Sequence, residues 1–280
     1  MHRSRPMTLC LPAEAPALSE REFTRVAHRI ERLAGIVLEP HKRPMLAARL
    51  ARRMRHGGHR GIGAYMDMID RGSDRAEVQG FIDALTTNQT GMFREPHHFA
   101  HLERVLAART DAAPLRLWSA GCASGEEAFS IALTVAAARG RLALDDRILA
   151  TDIDSAMIAR ARRGVVAAER CTGLEPRHAA QLGRAAGGGR QMPPQLLGAI
   201  RFRRLNLLEP WPLQGYFEAI FCRNVMIYFS AATRAALVDR LAARLVPGGH
   251  LYLGHAELLL ERHTMLQACG KSVYRRVEGA

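Results

Sequence analysis

Hydrophobic positions recur at helical spacing across residues 19–85, and after Leu115 the pattern switches to strands alternating with helices. Ser19 and Glu22 stand in capping-box spacing at the head of "LSEREFTRVAHRIERLAGIVL", which predicts a helix start there and an end at Gly35. A second helix is predicted from about Pro44 to Arg55. Leu46, Leu50 and Met54 fall on one side of it, and Arg49, Arg52 and Arg53 on the other. A further helix ends near Leu85, and "TTNQTGMFREPHHFAHL" then reads as a loop that re-enters a helix after Pro96. Beyond Leu115, "LRLWSA" predicts a strand, Glu126–Arg139 a helix, "RILATDI" a strand, and "SAMIARARR" a helix capped by Ser155. "IRFRRLNL", "FEAIFCRN" and "LYLGHA" read as later strands, with a helix from Ser230 to "VPGG" between the last two. Residues about 165–200 have turn formers and no clear period, so they read as an insertion carrying a mobile loop. The pattern as a whole predicts an α/β fold: a mostly parallel sheet with helices on both faces, preceded by a small all-helical domain. The expected division is a flexible leader over 1–18, the helical domain over 19–90 and the α/β domain over 91–280.

Composition narrows the setting. A chain of 280 residues with 48% hydrophobic content can bury an α/β core and a smaller module besides. No apolar run approaches the ~20 residues of a membrane span, so no membrane insertion is expected. "MHRSRPMTLCLPAEAPALSE" has arginines but no adequate apolar stretch, so it reads as a leader and not a signal peptide. Five scattered cysteines (Cys10, Cys122, Cys171, Cys222, Cys269) form no C-x-x-C pair. That predicts reduced thiols in a cytoplasmic protein, with neither metal nor disulfide framework. The formal charge is +13, and residues 1–60 hold thirteen Lys and Arg against five Asp and Glu, a net of +8. Seven basic and no acidic residues lie between His41 and Arg60. Such a field suits nucleic acid, anionic lipid or an acidic protein surface; the alternative is a solvated face in an arginine-rich chain.

The candidate chemistry begins at "WSAGCASGEEAFSIAL". Strand, glycine turn and helix make a nucleotide site in α/β proteins, but G-x-x-x-G is not the dinucleotide fingerprint. Glu126 and Glu127 occupy the first helical turn, where a pyrophosphate would want free N–H groups and no anions. The turn suits a ligand with hydroxyls and positive charge, as S-adenosylmethionine has. Three further stretches should converge with it beyond the carboxyl ends of the strands. Asp152 in "TDID" can accept two ribose hydroxyls, and Asn206 in "RLNLL" can donate and accept at an adenine edge. Arg223, Asn224 and Tyr228 follow the apolar strand of "CRNVMIYF".

These stretches, with "TTNQTGMFRE" ahead of them, stand in the order found in bacterial chemotaxis receptor glutamate methyltransferases, and the chain resembles that family from about Ser19 to Val277. "HKRPMLAARLARRMR" looks like the family's basic second helix. The resemblance implies a class I, Rossmann-like S-adenosylmethionine-dependent methyltransferase domain, a small β-subdomain inserted where the rhythm breaks, and the N-terminal helical domain. By the same resemblance Asn88, Thr90 and Arg94 belong to a loop covering the cofactor. Glu126 matches the acidic contact at the glycine turn, with Glu127 as the adjacent alternative. Asp152 matches the ribose acid, and Asn206, Leu207, Arg223 and Asn224 match contacts around the adenine. Arg94 and Tyr228 resemble the pair near the transferred methyl. Gly91 and Met92 replace bulkier residues of the family's loop, and Val166 stands where an aromatic is common.

The implied reaction moves a methyl group from S-adenosylmethionine to glutamate carboxylates of a chemoreceptor, giving methyl esters and S-adenosylhomocysteine for sensory adaptation. No metal takes part, and the protein is expected to be a monomer. Arg49, Arg52 and Arg53 would meet the helical cytoplasmic domain of the receptor. Two alternatives differ in class. A nucleic-acid methyltransferase would also be basic, but "CRNVMIY" lacks an N-P-P-Y type of pocket and the basic helix lacks aromatics for stacking. A non-catalytic module would bind cofactor or receptor and only signal; Arg94 and Tyr228 speak against it.

Overall fold

The computed structural model describes residues 18–277 except 112, 141–146, 172 and 260–261. All of the expected leader but Leu18 lies outside these residues.

Four helices come first: α1 (Glu20–Ala34), α2 (Arg43–His56), α3 (Ile62–Arg71) and α4 (Arg75–Leu85). The capping box is formed, with Ser19 N–H and Oγ donating to Glu22 Oε2 at 2.7 and 2.6 Å. Gly35 closes α1 at φ 71, in the left-handed conformation common at helix ends and open to glycine. Between α2 and α4 lies α3, which the sequence pattern does not predict. Gly72 (φ 64) ends it, and Asp74 caps α4 by accepting Ala76 and Glu77 N–H. Val26, Ile30, Leu46, Leu50, Ile69 and Phe81 are at most 1% exposed and pack together as a core of their own. Each such side chain contributes about 1.5–3 kcal/mol on burial.

One expectation for α2 fails. Leu46 and Leu50 do face the core, but Arg49 and Arg53 do not face outward, because α4 packs along that flank. Arg53 forms an ion pair with Glu77 of α4, whose other oxygen lies 3.0 Å from His59 Nε2. Arg49 Nη1 donates to the carbonyls of Leu85 (3.3 Å) and Thr86 (2.7 Å), groups that the end of α4 leaves without helical partners. Of the three, Arg52 alone is exposed, alongside Arg55, His56 and Arg60.

The α/β part begins with α5 (Pro96–Ala107), followed by β1 (Arg116–Ala120), α6 (Glu126–Arg139), β2 (Arg147–Asp152) and α7 (Ser155–Ala161). The cap of α7 is Asp154, which accepts Met157 N–H at 3.0 Å; Ser155, expected in that role, is the first helical residue and bonds to Asp83 instead. Next come β3 (Val165–Val166), α8 (Pro176–Ala179), β4 (Gly183–Arg184), β5 (Arg190–Gln191) and α9 (Pro194–Gly198). The three short strands make a separate antiparallel sheet in the order β3-β5-β4, so the region without a clear period does carry a small β-unit.

The chain returns to the main sheet with β6 (Ile200–Arg204), β7 (Phe217–Cys222), α10 (Ala231–Ala242), β8 (Leu245–Leu253), β9 (Leu266–Gly270) and β10 (Val273–Arg276). "VPGG" does not stop α10, which ends at Ala242; it lies within β8. The seven strands run in the order β6-β2-β1-β7-β8-β10-β9, with β6 to β8 parallel and β10 antiparallel to both neighbours. Strand order reverses between β1 and β7. In an open parallel sheet that reversal leaves a crevice beyond the carboxyl ends of the strands. No helix among the described residues is long and apolar enough to cross a membrane.

Candidate functional site

The crevice is a cavity of about 360 Å³. Its floor is the glycine turn after β1. Gly121 adopts φ 95, and a Cβ there would collide with Val225, so only glycine permits this close approach. Gly121 and Cys122 donate to Thr151 O at 2.7 and 2.9 Å, Gly125 donates to Cys122 O at 2.9 Å, and Ala123 donates to Asp152 Oδ2 at 2.8 Å. With those N–H groups satisfied inside the protein, the turn is a poor phosphate cradle.

Asp152 lines the cavity at the end of β2, and its second oxygen accepts Asp154 N–H at 2.9 Å. Burial pushes its carboxyl up to about 6, against the backbone donors that favour the anion.

Glu126 and Glu127 separate in three dimensions. Glu126 is 1% exposed and turns to Arg170 Nη1 (2.7 Å) and Ser124 Oγ (2.8 Å); it does not line the cavity. The acid at the cavity is Glu127, which accepts from Ser119 Oγ at 2.7 Å and Arg223 Nη1 at 3.0 Å. Burial raises its pKa, and Arg223 opposes the rise. Of the two, the structure places Glu127, the adjacent alternative, on the cavity lining. Arg170, from the inserted region, draws Glu126 away.

The segment from Thr86 to Glu95 borders the cavity, with Asn88, Thr90 and Arg94 on its lining. It is pinned at several points. Asn88 Nδ2 and Thr86 Oγ1 donate to Asp154 Oδ2 at 2.6 and 2.8 Å. Met92 N–H donates to Arg170 O at 3.1 Å, and Phe93 N–H to Ser130 Oγ at 2.9 Å. Met92 is buried. Arg94 Nη1 donates to Gln89 O at 2.9 Å, and among the described residues no carboxylate pairs with its guanidinium.

The remaining wall carries Asn206, Leu207, Arg223, Asn224 and Tyr228, together with Val37, Lys42 and Met45 from the helical part, which sequence reasoning did not reach. Asn206 does not offer a free amide edge: Nδ2 donates to Leu33 O at 2.8 Å and Oδ1 accepts Leu208 N–H at 3.0 Å. Arg223 is likewise committed, bridging Glu127, the Arg94 carbonyl and Glu95 at 3.6 Å. Burial raises the Glu95 pKa, but the His255 hydrogen bond and the Arg223 charge outweigh it and hold it at about 2. The Tyr228 carbonyl accepts Val37 N–H at 2.8 Å, tying the wall to the helical part. Among the described residues its hydroxyl has no hydrogen-bond partner. Asn224 lines the cavity at φ 58. The structure thus brings all the expected cofactor positions except Glu126 to one cavity, and leaves Arg49, Arg52 and Arg53 off its lining.

An acid at the end of β2, a satisfied glycine turn and a loop closing one side are features of a site for a nucleoside with a charged tail. Comparison with known proteins agrees. Residues 88–275 match the CheR methyltransferase SAM binding domain, and residues 21–86 match the CheR methyltransferase all-alpha domain. The chain is 38% identical to the chemotaxis protein methyltransferase of Salmonella typhimurium over 263 residues, covering 92% of this chain and 91% of that protein. It is 38% identical to the Escherichia coli protein of the same name over 268 residues, covering 93% and 92%. Chemotaxis protein methyltransferase 2 of Pseudomonas aeruginosa is 37% identical over 262 residues, covering 91% and 93%. Similarity over nearly the whole length, and a cavity where the sheet reverses, lead to one conclusion: this chain belongs to the CheR family of S-adenosylmethionine-dependent methyltransferases.

Proposed function

We propose that this methyltransferase esterifies glutamate side chains on the helical cytoplasmic domain of a chemoreceptor, leaving S-adenosylhomocysteine as the second product. The observation that carries this is Arg94: a guanidinium on the cavity lining that, among the described residues, donates to a loop carbonyl and is neutralised by no carboxylate. A planar cation with donors to spare matches an incoming carboxylate. S-adenosylmethionine supplies an electrophilic methyl on a sulfonium, and an ionised glutamate is already a nucleophile, so no strong base is needed. The protein's task is orientation.

Asp152 would hold the ribose hydroxyls and Glu127 the positively charged end of the cofactor. Asn88 and Thr90 would close over it, and Asn206 and Leu207 would border the adenine. Arg94 would align the substrate carboxylate, with the Tyr228 hydroxyl as a second donor. Its grip must be modest, since an interaction equally strong before and during transfer gives no rate gain. The exposed Arg52, Arg55 and Arg60 place positive charge where a glutamate-bearing helical surface could be steered. Incubation with labelled S-adenosylmethionine and a receptor cytoplasmic fragment, followed by alkali, tests the reading: methyl esters release methanol, whereas N-methyl groups do not. Base-stable label, or label entering only nucleic acid, would overturn it.

A further inference from the structure

Glu257 lies after β8 and is 4% exposed. Its carboxylate accepts three backbone N–H groups: Asn224 at 2.7 Å and Gly254 at 2.8 Å on Oε2, and Ile227 at 3.1 Å on Oε1. Two of the three belong to the loop after β7, whose Asn224, Val225 and Tyr228 line the cavity. Asn224 stands at φ 58, in the left-handed region that asparagine enters more readily than most residues with a side chain, so its N–H is turned by a local bend of the chain. Ile227 lies in the short 3₁₀ turn Met226–Tyr228, whose leading N–H groups have no partners inside the turn. Gly254 comes so near that a Cβ there would stand 2.5 Å from Glu257 Oε2 and 2.8 Å from Asn224 Nδ2. One carboxylate therefore fastens the end of β8 to the wall carrying Tyr228.

We propose that Glu257 is a positioning residue for methyl transfer: it sets the Asn224–Tyr228 wall against the cofactor cavity without touching the cavity itself. Two acceptor oxygens are required. In Glu257→Gln the amide keeps one oxygen and turns an NH₂ group towards a backbone N–H, so at least one bond becomes a donor facing a donor. Aspartate keeps both oxygens on a side chain one methylene shorter.

This rests on the proposed receptor methylation, and the test separates the two. S-adenosylhomocysteine affinity by calorimetry, labelled-methyl kinetics on a receptor fragment, and thermal melting are measured for E257Q, E257D, Y228F and E257Q/Y228F. For folded E257Q the expected results are cofactor-product affinity down roughly tenfold and kcat down roughly 10- to 100-fold, the scale of hydrogen bonds to a charged group. The receptor KM should be unchanged, and E257D should lose less. E257Q/Y228F should be no slower than the worse single variant, because residues acting through one wall are not additive. Unchanged affinity and kcat in folded E257Q, or a fully additive double variant, would overturn the assignment. If E257Q melts below the assay temperature, folded E257D decides by the same two readouts. If the wild-type protein methylates no receptor, the functional reading fails while calorimetry still judges Glu257.

Discussion

Arg223 and Glu127 form a 3.0 Å ion pair beside the cavity, with 2% and 10% of their side chains exposed. The other arm of Arg223 reaches the carbonyl of Arg94, so one guanidinium joins β7, the first turn of α6 and the loop that borders the site. Ser119 Oγ is the second partner of Glu127. Arg223→Met should therefore destabilise the fold by about 3–5 kcal/mol, the cost of leaving a buried charge without its partner. Urea unfolding of the ligand-free protein measures this, and a loss under 1 kcal/mol would show the pair to be dispensable.

Glu127 and Glu126 should part company in cofactor binding. Glu127→Gln removes charge from the cavity lining, so S-adenosylhomocysteine affinity should fall roughly tenfold or more. Glu126→Gln acts on a pair with Arg170 away from the lining, so its effect should appear in melting temperature first. Calorimetry on both variants gives the order, and the reverse order would place the cofactor contact at Glu126.

Asp152 predicts a pH dependence. Burial holds its carboxyl at about 6 in the folded chain, above the ordinary aspartate range. As pH falls through about 6 it takes up a proton and loses acceptor capacity for hydroxyls, so cofactor affinity should fall, by up to about tenfold per pH unit below that point. Folding linkage has the opposite sign. Between about pH 4 and pH 6 the folded chain holds a proton that the unfolded chain has released, so this group's contribution favours folding at low pH and is lost as pH rises through 6. Asp152→Asn should flatten both profiles. Affinity that stays level from pH 7 down to pH 5 in the wild-type protein would contradict the raised value.

The arginines of α2 should divide by partner. Arg53→Ala removes the pair with Glu77 and should cost about 1–3 kcal/mol in chemical denaturation. Arg52→Glu should leave stability within about 0.5 kcal/mol. It should raise the receptor KM at low salt, with the difference shrinking as the Debye length falls from ~10 Å at 0.1 M to ~3 Å at 1 M. A receptor KM indifferent to Arg52→Glu across that series would reduce the exposed basic face to a solvated surface.

Local signals in the sequence proved sufficient where a few neighbouring residues decide the outcome. Ser19 with Glu22 starts α1, and Glu126–Arg139 is a helix between the residues expected. Asp152 reaches the crevice because its place at the end of β2 follows from the strand pattern alone. What was not legible depends on distant partners. Glu126 and Glu127 stand about 100° apart on a helix, and their partners lie far along the chain, Arg170 for Glu126 and Arg223 for Glu127. The apolar stripe of α2 marks its buried side, but not that α4 would cover Arg49 and Arg53. β9 escaped notice because four of its five residues are exposed at the sheet edge, which erases the alternation. Glu257 carries no spacing signal at all, since its three partners are backbone groups.

In the proposed reaction Arg94 aligns a receptor glutamate carboxylate for ester formation. The most direct measurement is single-turnover methyl transfer to a receptor cytoplasmic fragment by wild-type and Arg94→Ala protein at saturating S-adenosylmethionine, with the modified residue located by mass spectrometry. The expected result is a base-labile methyl on glutamate, a transfer rate at least roughly 100-fold slower in the variant, and cofactor affinity within roughly tenfold of wild type. Methyl groups on another residue type, or an Arg94→Ala variant that loses cofactor binding while transferring at the normal rate once saturated, would contradict it.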